Sequence, residues 1–407
     1  MKSASSFLLA ARSCEIAELE QLARTSALLA LVCQFTHALQ RERGISNVFL
    51  GSRGQSFAVQ RLHQAACCEA LEQQVRARFE GLDTDAAGVR NGARLFSRIA
   101  SLLHALDGLP ALRERIAGHA LTPRESTKGF SRCVAGLLAV VFEAADSATD
   151  PQVSRALVAL FNFMQGKEFA GQERAFGAAV FASGRIEAGG QQHWRHLIEL
   201  QQGCFQVFDE FADDATRHAV ACSQDALLLA QLERLRRIGN ALDGGSAQDS
   251  ALSQPWYDCC TARIDAMKSV EDLLAQGLRR LCEERIAQAR EELADQQRLL
   301  QALATPSEGA TGPAHYGPHL ERAVLDLVQE QGRRLQAMSD ELDTVRASLN
   351  ERKRVERAKG LLMAHRQMSE DDAYKALRRM AMNQGKRLVD VADAVLATAQ
   401  VLPGPLR

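Results

Sequence analysis

Apolar residues recur every three or four positions from about Glu15 to Leu303, the spacing that lines them along one stripe of an α-helix. Glycine, proline or short polar runs interrupt the pattern around Gly51 to Gly54, Pro110, Pro123, Pro151, Gly184 to Gly190 and Gly244 to Gln254, which predicts where helices stop and turn. No segment shows the two-residue alternation of a half-buried strand. Roughly 290 residues of helix exceed what one four-helix bundle needs, so the expectation is an all-α fold whose N-terminal part is two antiparallel four-helix bundles. A short echo fits a duplicated bundle. Glu42-Arg43-Gly44 precedes an apolar helix end at Phe49-Leu50-Gly51, and Glu173-Arg174-Ala175 precedes a similar one at Val180 to Gly184.

The stretch 304–319, ATPSEGATGPAHYGPH, holds three of the nine prolines and three glycines and reads as a linker. Beyond it, Val324, Gln331, Met338, Val345 and Arg352 fall on one heptad position and Val328, Leu335, Leu342 and Leu349 on the other. That spacing predicts a coiled-coil-like helix over 320–350, suited to dimerisation or to packing on its own chain. The segment from Glu351 to Leu388 carries eleven Lys or Arg against five acids. Ser369-Glu370-Asp371-Asp372 reads as a helix start, with Ser369 as N-cap and the acids in the first turn. Gly385 ends that helix, and Leu388, Val389, Val391, Ala392 and Val395 restart the apolar period, giving a compact three-helix module.

Composition supports the all-α reading: hydrophobic residues make up 46% and aromatics only 5%, a balance that favours helices over sandwiches or barrels. The formal net charge is −1, so any affinity for a polyanion must reside in the local basic segment. The ten cysteines, Cys14, Cys33, Cys67, Cys68, Cys133, Cys204, Cys222, Cys259, Cys260 and Cys282, show no C-x-x-C pair or zinc spacing. They read as reduced thiols of a cytoplasmic protein. The apolar run Phe7 to Ala11 is shorter than a secretory core, and Val134 to Phe142 is too short to span a bilayer; no membrane association is expected.

None of the hydrolase, metalloprotease, P-loop or dinucleotide motifs occurs, so the expectation is a non-enzyme without a metal or cofactor. His63 with Cys67 and Cys68 is the nearest approach to a metal cluster and lacks a fourth ligand. The basic module is more specific. Tyr374 and Arg378 share a helix face and Lys375 and Arg379 an adjacent one, so a ring flanked by guanidiniums suits unpaired bases that stack beside phosphates. A solvated basic face with Tyr374 half in a core has the same pattern.

The segment ERKRVERAKGLLMAHRQMSEDDAYKALRRMAMNQGKRLVDVADAV closely resembles the ANTAR domain, a three-helix RNA-binding module of bacterial antiterminators. The match rests on Glu356, Ala358-Lys359-Gly360, Leu362-Met363, Ser369, Ala373-Tyr374, Leu377-Arg378, Leu388 and Val391-Ala392, and covers residues 351–402. The resemblance implies binding to paired hexaloop stem-loops in a leader mRNA, with Lys359, Tyr374, Arg378, Arg379 and Lys386 as the contacts.

LQRERGISNVFLGSRG, KEFAGQERAFGAAVFASG and PWYDCCTARIDAMKSVED look like three motifs of the NIT domain, an all-helical nitrate- and nitrite-sensing module, here spanning 15–303. NIT followed by ANTAR is similar to nitrate-responsive antiterminators of the NasR type. Nitrate is a planar, permanently ionised anion and guanidinium a planar, permanently charged donor, so two arginines on different helices suit it. The resemblance assigns the nitrate to Arg43 and Arg263, followed by Arg174, with Arg236 and Arg237 as competitors. Arg43 points toward the bundle interior, where it needs an anionic partner: a ligand, or Glu42, Glu173, Asp265 or Glu271. The sequence reading is therefore a cytoplasmic, homodimeric, nitrate- or nitrite-responsive antiterminator acting on leader mRNA stem-loops. A ligand-responsive DNA-binding regulator and a non-sensing helical scaffold are the alternatives.

Overall fold

The structure, a computed structural model, describes residues 4–82, 92–184, 186, 189–241, 252–304, 317–366, 368 and 370–401. Among the described residues every regular element is a helix: α1 (Ala4–Gly51), α2 (Ala58–Glu80), α3 (Gly92–Asp107), α4 (Leu109–Ala117), α5 (Pro123–Ser147), α6 (Pro151–Ser183), α7 (Gly190–Phe211), α8 (Asp214–Ser223), α9 (Ala226–Asn240), α10 (Ser253–Ala304), α11 (Gly317–Arg366), α12 (Glu370–Gln384) and α13 (Leu388–Val401). The prolines sit where their missing N–H does no harm. Pro110, Pro123 and Pro151 each occupy the first turn of a helix, the position their fixed φ suits. Thr122 caps α5 in a reciprocal box with Glu125, and Asp150 accepts from the Val153 amide to cap α6.

The chain forms two compact units, one up to Gln331 and one from Gly332. In the first, α1, α2, α3 and α5 pack as one bundle, with the short α4 against α5, and α6, α7, α9 and α10 pack as a second, with α8 against α10. The two bundles are joined where α1 packs on α10 and α6, and α5 on α6. The pair α1 and α10 runs antiparallel over most of its length. Arg12 meets Glu292 at 3.0 Å and Arg290 meets Glu20 at 2.7 Å, while toward the other ends Tyr257 approaches Gly44. By length and apolarity α1 passes the test for a membrane span, but it carries buried Gln40, Glu42 and Arg43, each paired with a neighbouring helix as described below. That is the pattern of a bundle's central helix.

The two tryptophans of the chain form the heart of the second bundle. Trp194 and Trp256 are fully buried and meet edge to face at 5.2 Å, with Phe181 against both. Trp256 Nε1 donates to the Arg174 carbonyl at 3.0 Å, and Trp194 Nε1 to Glu173 Oε1 at 3.0 Å, so the aromatic core fixes the Glu173-Arg174 pair. The rings need glycine beside them. A methyl group on Gly177 would stand 2.3 Å from Trp256, and one on Gly239 2.2 Å from Trp194.

Burial drives the thiols of Cys33, Cys68, Cys260 and Cys282 upward in pKa, the last to about 11, and all ten cysteines are free. Cys68 is buried on one face of α2 while Cys67, beside His63 at 3.8 Å, faces solvent.

The second unit has a small core of Ala358, Leu377, Ala381, Val391 and Ala392, flanked by Val355, Leu362, Met380 and Leu388. Gly385 takes a left-handed φ of 59° just past α12, and the Lys386 amide reaches back to the Ala381 carbonyl at 3.1 Å, closing the helix as its sequence predicts. Ser369 and residues 305–316 of the expected linker lie outside the described residues. Helix α11 begins at Gly317 and continues without a break to Arg366, so the heptad segment and the first helix of the basic module are one rod. Along it Leu342, Val345 and Leu349 are buried, whereas Leu325, Val328 and Leu335 are 54%, 44% and 53% exposed.

Replacing Gly177 by Ala forces Trp256 off its seat. Overpacking of this kind costs about 1–3 kcal/mol. Urea unfolding followed by tryptophan fluorescence should show that loss together with an altered native emission spectrum.

Candidate functional site

The first and second bundles meet through a reciprocal exchange of arginines. Arg43 of α1 lies over Gly171 of α6, where an added methyl would stand 2.7 Å from its Nη2. Arg174 of α6 lies over Gly44 of α1, where an added methyl would stand 2.8 Å from its Nη2 and 3.2 Å from the Tyr257 hydroxyl. Both side chains are buried, 1% and 5% exposed, and Arg43 bears on the charge of Arg174.

Their partners differ. Arg43 donates to both oxygens of Glu168 at 2.6 and 3.0 Å and to Ser131 Oγ at 2.8 Å. Glu168 also accepts from Gln40 and Gln172, each at 2.9 Å. The anionic partner that burial demands is thus Glu168, not Glu42, Glu173, Asp265 or Glu271. Glu42 is taken within its own bundle by Arg113, at 2.7 and 2.9 Å. Among the described residues Arg174 has no carboxylate bonded to it: it donates to Thr261 Oγ1 at 3.0 Å and to the Gln40 carbonyl at 3.5 Å, and its guanidinium faces the Tyr257 ring at 5.1 Å. Burial and the neighbouring Arg43 lower its pKa. Among the described residues the crossing therefore holds two guanidiniums and one bonded carboxylate, with Asp265 acting on Arg174 only through its field from the cavity wall. An uncompensated buried cation is costly, and an anion relieves it.

Arg174, Tyr257 and Thr261 line a cavity of about 540 Å³ with His37, Gln40 and Asp265. Gln40 spends its amide NH₂ on Glu168, which fixes the amide's orientation and leaves its buried Oε1 without a donor. A second buried charged contact ties α6 to α10. Lys167 of α6 and Glu271 of α10 are both 0% exposed and 2.5 Å apart, and Lys268 joins Glu271 at 3.1 Å.

Arg263 belongs to another cluster, inside the second bundle. It lies two residues from Thr261, about 200° round α10. It donates to Gln201 Oε1 at 2.9 Å and stands 4.0 Å from Glu173. Arg236 holds Glu173 by both oxygens, at 2.7 and 2.6 Å, and Gln201 Nε2 adds a 2.7 Å bond. Burial penalises Glu173, but the bonds from Arg236, Gln201 and Trp194 hold its pKa below the ordinary glutamate value. The structure thus brings Arg43 and Arg174 together and places Arg263 with Arg236.

In the basic module Lys359 is buried, 8% exposed, bonded to both oxygens of Glu356 at 2.9 and 3.0 Å, with its ammonium 5.9 Å from the Tyr374 ring. The ammonium thus lies between the Glu356 carboxylate and the Tyr374 ring. Arg379 and Lys386 are exposed, and Tyr374 and Arg378 are half-buried beside them. Arg354 pairs with Asp393 at 2.7 Å and Arg387 with Asp390 at 3.2 Å, so those two basic residues brace the module.

Comparison with known proteins agrees with this division. Residues 34–279 match the NIT family, described as nitrate and nitrite sensing, and residues 343–396 match the ANTAR domain. The chain belongs to the NIT–ANTAR family. It is 34% identical over 398 residues to the nitrate regulatory protein of Klebsiella oxytoca, covering 95% of this chain and 93% of that one. The solved structure of the NasR transcription antiterminator superposes with a TM-score of 0.63 at 32% identity, covering 96% of this chain and 98% of its own. A transcriptional regulatory protein of Mycobacterium tuberculosis, PdtaR, is 39% identical over 75 residues, 18% of this chain and 37% of that one. Both clusters of buried arginines fall within the stretch matched by the NIT family, and the exposed basic residues of α12 and its C-terminal turn fall within the ANTAR match.

The depressed pKa of Glu173 fixes the sign of a pH dependence. Its bonds stabilise the fold fully above the unfolded glutamate value of about 4.3, and that stabilisation is lost as pH falls through the lower folded value. The stability gap between the native chain and Glu173→Gln, followed by urea unfolding, should be constant from pH 6 to 8 and close as the solution is acidified below about pH 4.

Proposed function

We infer that the protein is a cytoplasmic, nitrate-responsive regulator of transcription by antitermination, whose NIT module binds nitrate at the α1–α6 crossing and whose ANTAR module binds stem-loops in a leader mRNA. Neither module belongs to an enzyme family. The observation that carries the reading is the charge imbalance at the crossing: Arg43 is neutralised by Glu168, while Arg174 is buried with no carboxylate bonded to it among the described residues. Nitrate is weakly hydrated, so stripping its water costs little, and it can accept two bonds at once from a planar guanidinium. Nitrite shares the charge and two of the oxygens and is a second ligand of the site.

Nitrate at Arg174 changes the field at Arg43 and the contacts that tie α1, α6 and α10. A ligand shifts a conformational equilibrium only by its difference in affinity for the two states. A site built across three helices, with charges on all of them, supplies such a difference whenever the helices shift relative to one another. Arg263, held by Gln201 and close to Glu173, adds positive field from the adjoining cluster.

In the ANTAR module Arg379 and Lys386 meet phosphates, and Tyr374 with Arg378 offers a stacking surface for loop bases. The exposed apolar face of α11, with Leu325, Val328 and Leu335, is the dimer seam. Two copies then present two basic faces to two hairpins.

Purified protein titrated with a two-hairpin, hexaloop leader RNA should bind more tightly with millimolar nitrate than without it; equal binding would remove nitrate as the signal. Calorimetry should show Arg174→Gln lowering nitrate affinity roughly 10- to 100-fold, the range for a lost charged hydrogen bond. By contrast, Arg43→Gln leaves Glu168 buried without its guanidinium and should read as a loss of stability of about 3–5 kcal/mol. Arg379→Ala and Lys386→Ala should each weaken RNA binding and lower the salt slope by about one.

A further inference from the structure

His37 lies on the α1 wall of the cavity that holds Arg174, and its buried Nδ1 makes no hydrogen bond with any described residue. Four cations surround the ring from three helices: Arg41 on α1, Lys167 and Arg174 on α6, and Lys268 on α10. Asp265 of α10 and His63 of α2 line the same cavity, and Glu271 is taken by the two lysines. Burial and the four positive charges push the imidazole down to about 3, so in a cell the ring is neutral and carries one N–H. In the tautomer that carries its proton on Nδ1, that buried nitrogen calls for an acceptor.

Arg174 leaves most of its five guanidinium N–H groups unused, since its protein contacts are one hydroxyl and one distant carbonyl. A planar fork of this kind satisfies two oxygens of an oxyanion. Nitrite has only two, whereas nitrate has a third, pointing away from the fork. We propose that His37 donates its Nδ1–H to this third oxygen and so is the residue by which the site prefers nitrate to nitrite. The assignment rests on the reading of Arg174 as the anion ligand. The ring is a specificity device rather than a charge sensor. A protonated histidine would attract both anions alike; a neutral one, held neutral by its surroundings, rewards only the ligand that presents an oxygen to it.

Calorimetric titration of the full chain with sodium nitrate and with sodium nitrite tests this, on the native protein, His37→Ala, His37→Asn and Arg174→Gln. The asparagine amide nitrogen falls near the position of Nδ1, so it restores a donor without an imidazole. His37→Ala should weaken nitrate about fivefold or more, the usual effect of one lost hydrogen bond, and change nitrite less than twofold. His37→Asn should retain most of the nitrate affinity, and thermal unfolding of that variant shows that the fold is intact. Equal loss of both anions, no loss of either, or an asparagine variant that behaves like alanine would overturn the role of His37. If Arg174→Gln leaves both affinities unchanged, or the native chain binds neither anion, it is the reading of the site itself that fails, and the His37 assignment goes with it.

Discussion

Two buried guanidiniums meet where α1 crosses α6, and among the described residues only one of them is bonded to a carboxylate. Helices that cross closely enough to bury an arginine from each must give up side chains at the contact, which is what Gly44 and Gly171 do. Glu168 satisfies Arg43 and is itself steadied by two glutamine amides, so the pair is a rigid element rather than a mobile charge. Arg174 is then left with a hydroxyl, a carbonyl and the face of Tyr257. These are partners adequate for position but not for charge, and the unmatched charge is the reason to expect an anionic ligand.

The repeated Glu-Arg dipeptide takes on a physical meaning in this setting. In both copies the glutamate is a structural anchor: Glu42 is clamped by Arg113 and Glu173 by Arg236. In both copies the arginine turns the other way, toward the opposite bundle. Successive helical residues point about 100° apart, so two adjacent charges can serve two different surfaces, one intramural and one facing the seam. The copies also sit at the same distance from their helix ends, eight residues before Gly51 and nine before Ser183. What breaks the symmetry is the one-sided presence of Glu168, which neutralises only one of the two arginines.

The helices, their punctuation and the two-bundle count were legible because they depend on local signals: apolar period, first-turn prolines, and the glycine closing α12. The arginines were legible as candidates, and Arg43 as buried, because α1 carries polar residues at 36, 40, 43 and 47 inside an otherwise apolar stripe. Their partners were not. Arg43 and Glu168 are 125 residues apart, and nothing local distinguishes Glu168 from Glu173, the other acid of the same helix. The separation of Arg263 from the crossing depends on the 200° between it and Thr261, which matters only once the facing of α10 is known. Lys359 entered as an RNA contact through the resemblance alone; that it is buried, with the Tyr374 ring of another helix 5.9 Å from its ammonium, depends on how α11 and α12 pack.

The glycine seats have a consequence for how this fold can vary. Each arginine rests on the backbone of the helix that carries the other, so the helices meet with no spare room, and one carbon atom at either seat would displace a guanidinium. A methyl group there would act as a permanent wedge at the point where the proposed anion would act reversibly. The crossing is therefore a place where sterics and electrostatics are interchangeable inputs, and where a change of a single small side chain can set the resting state of the sensor.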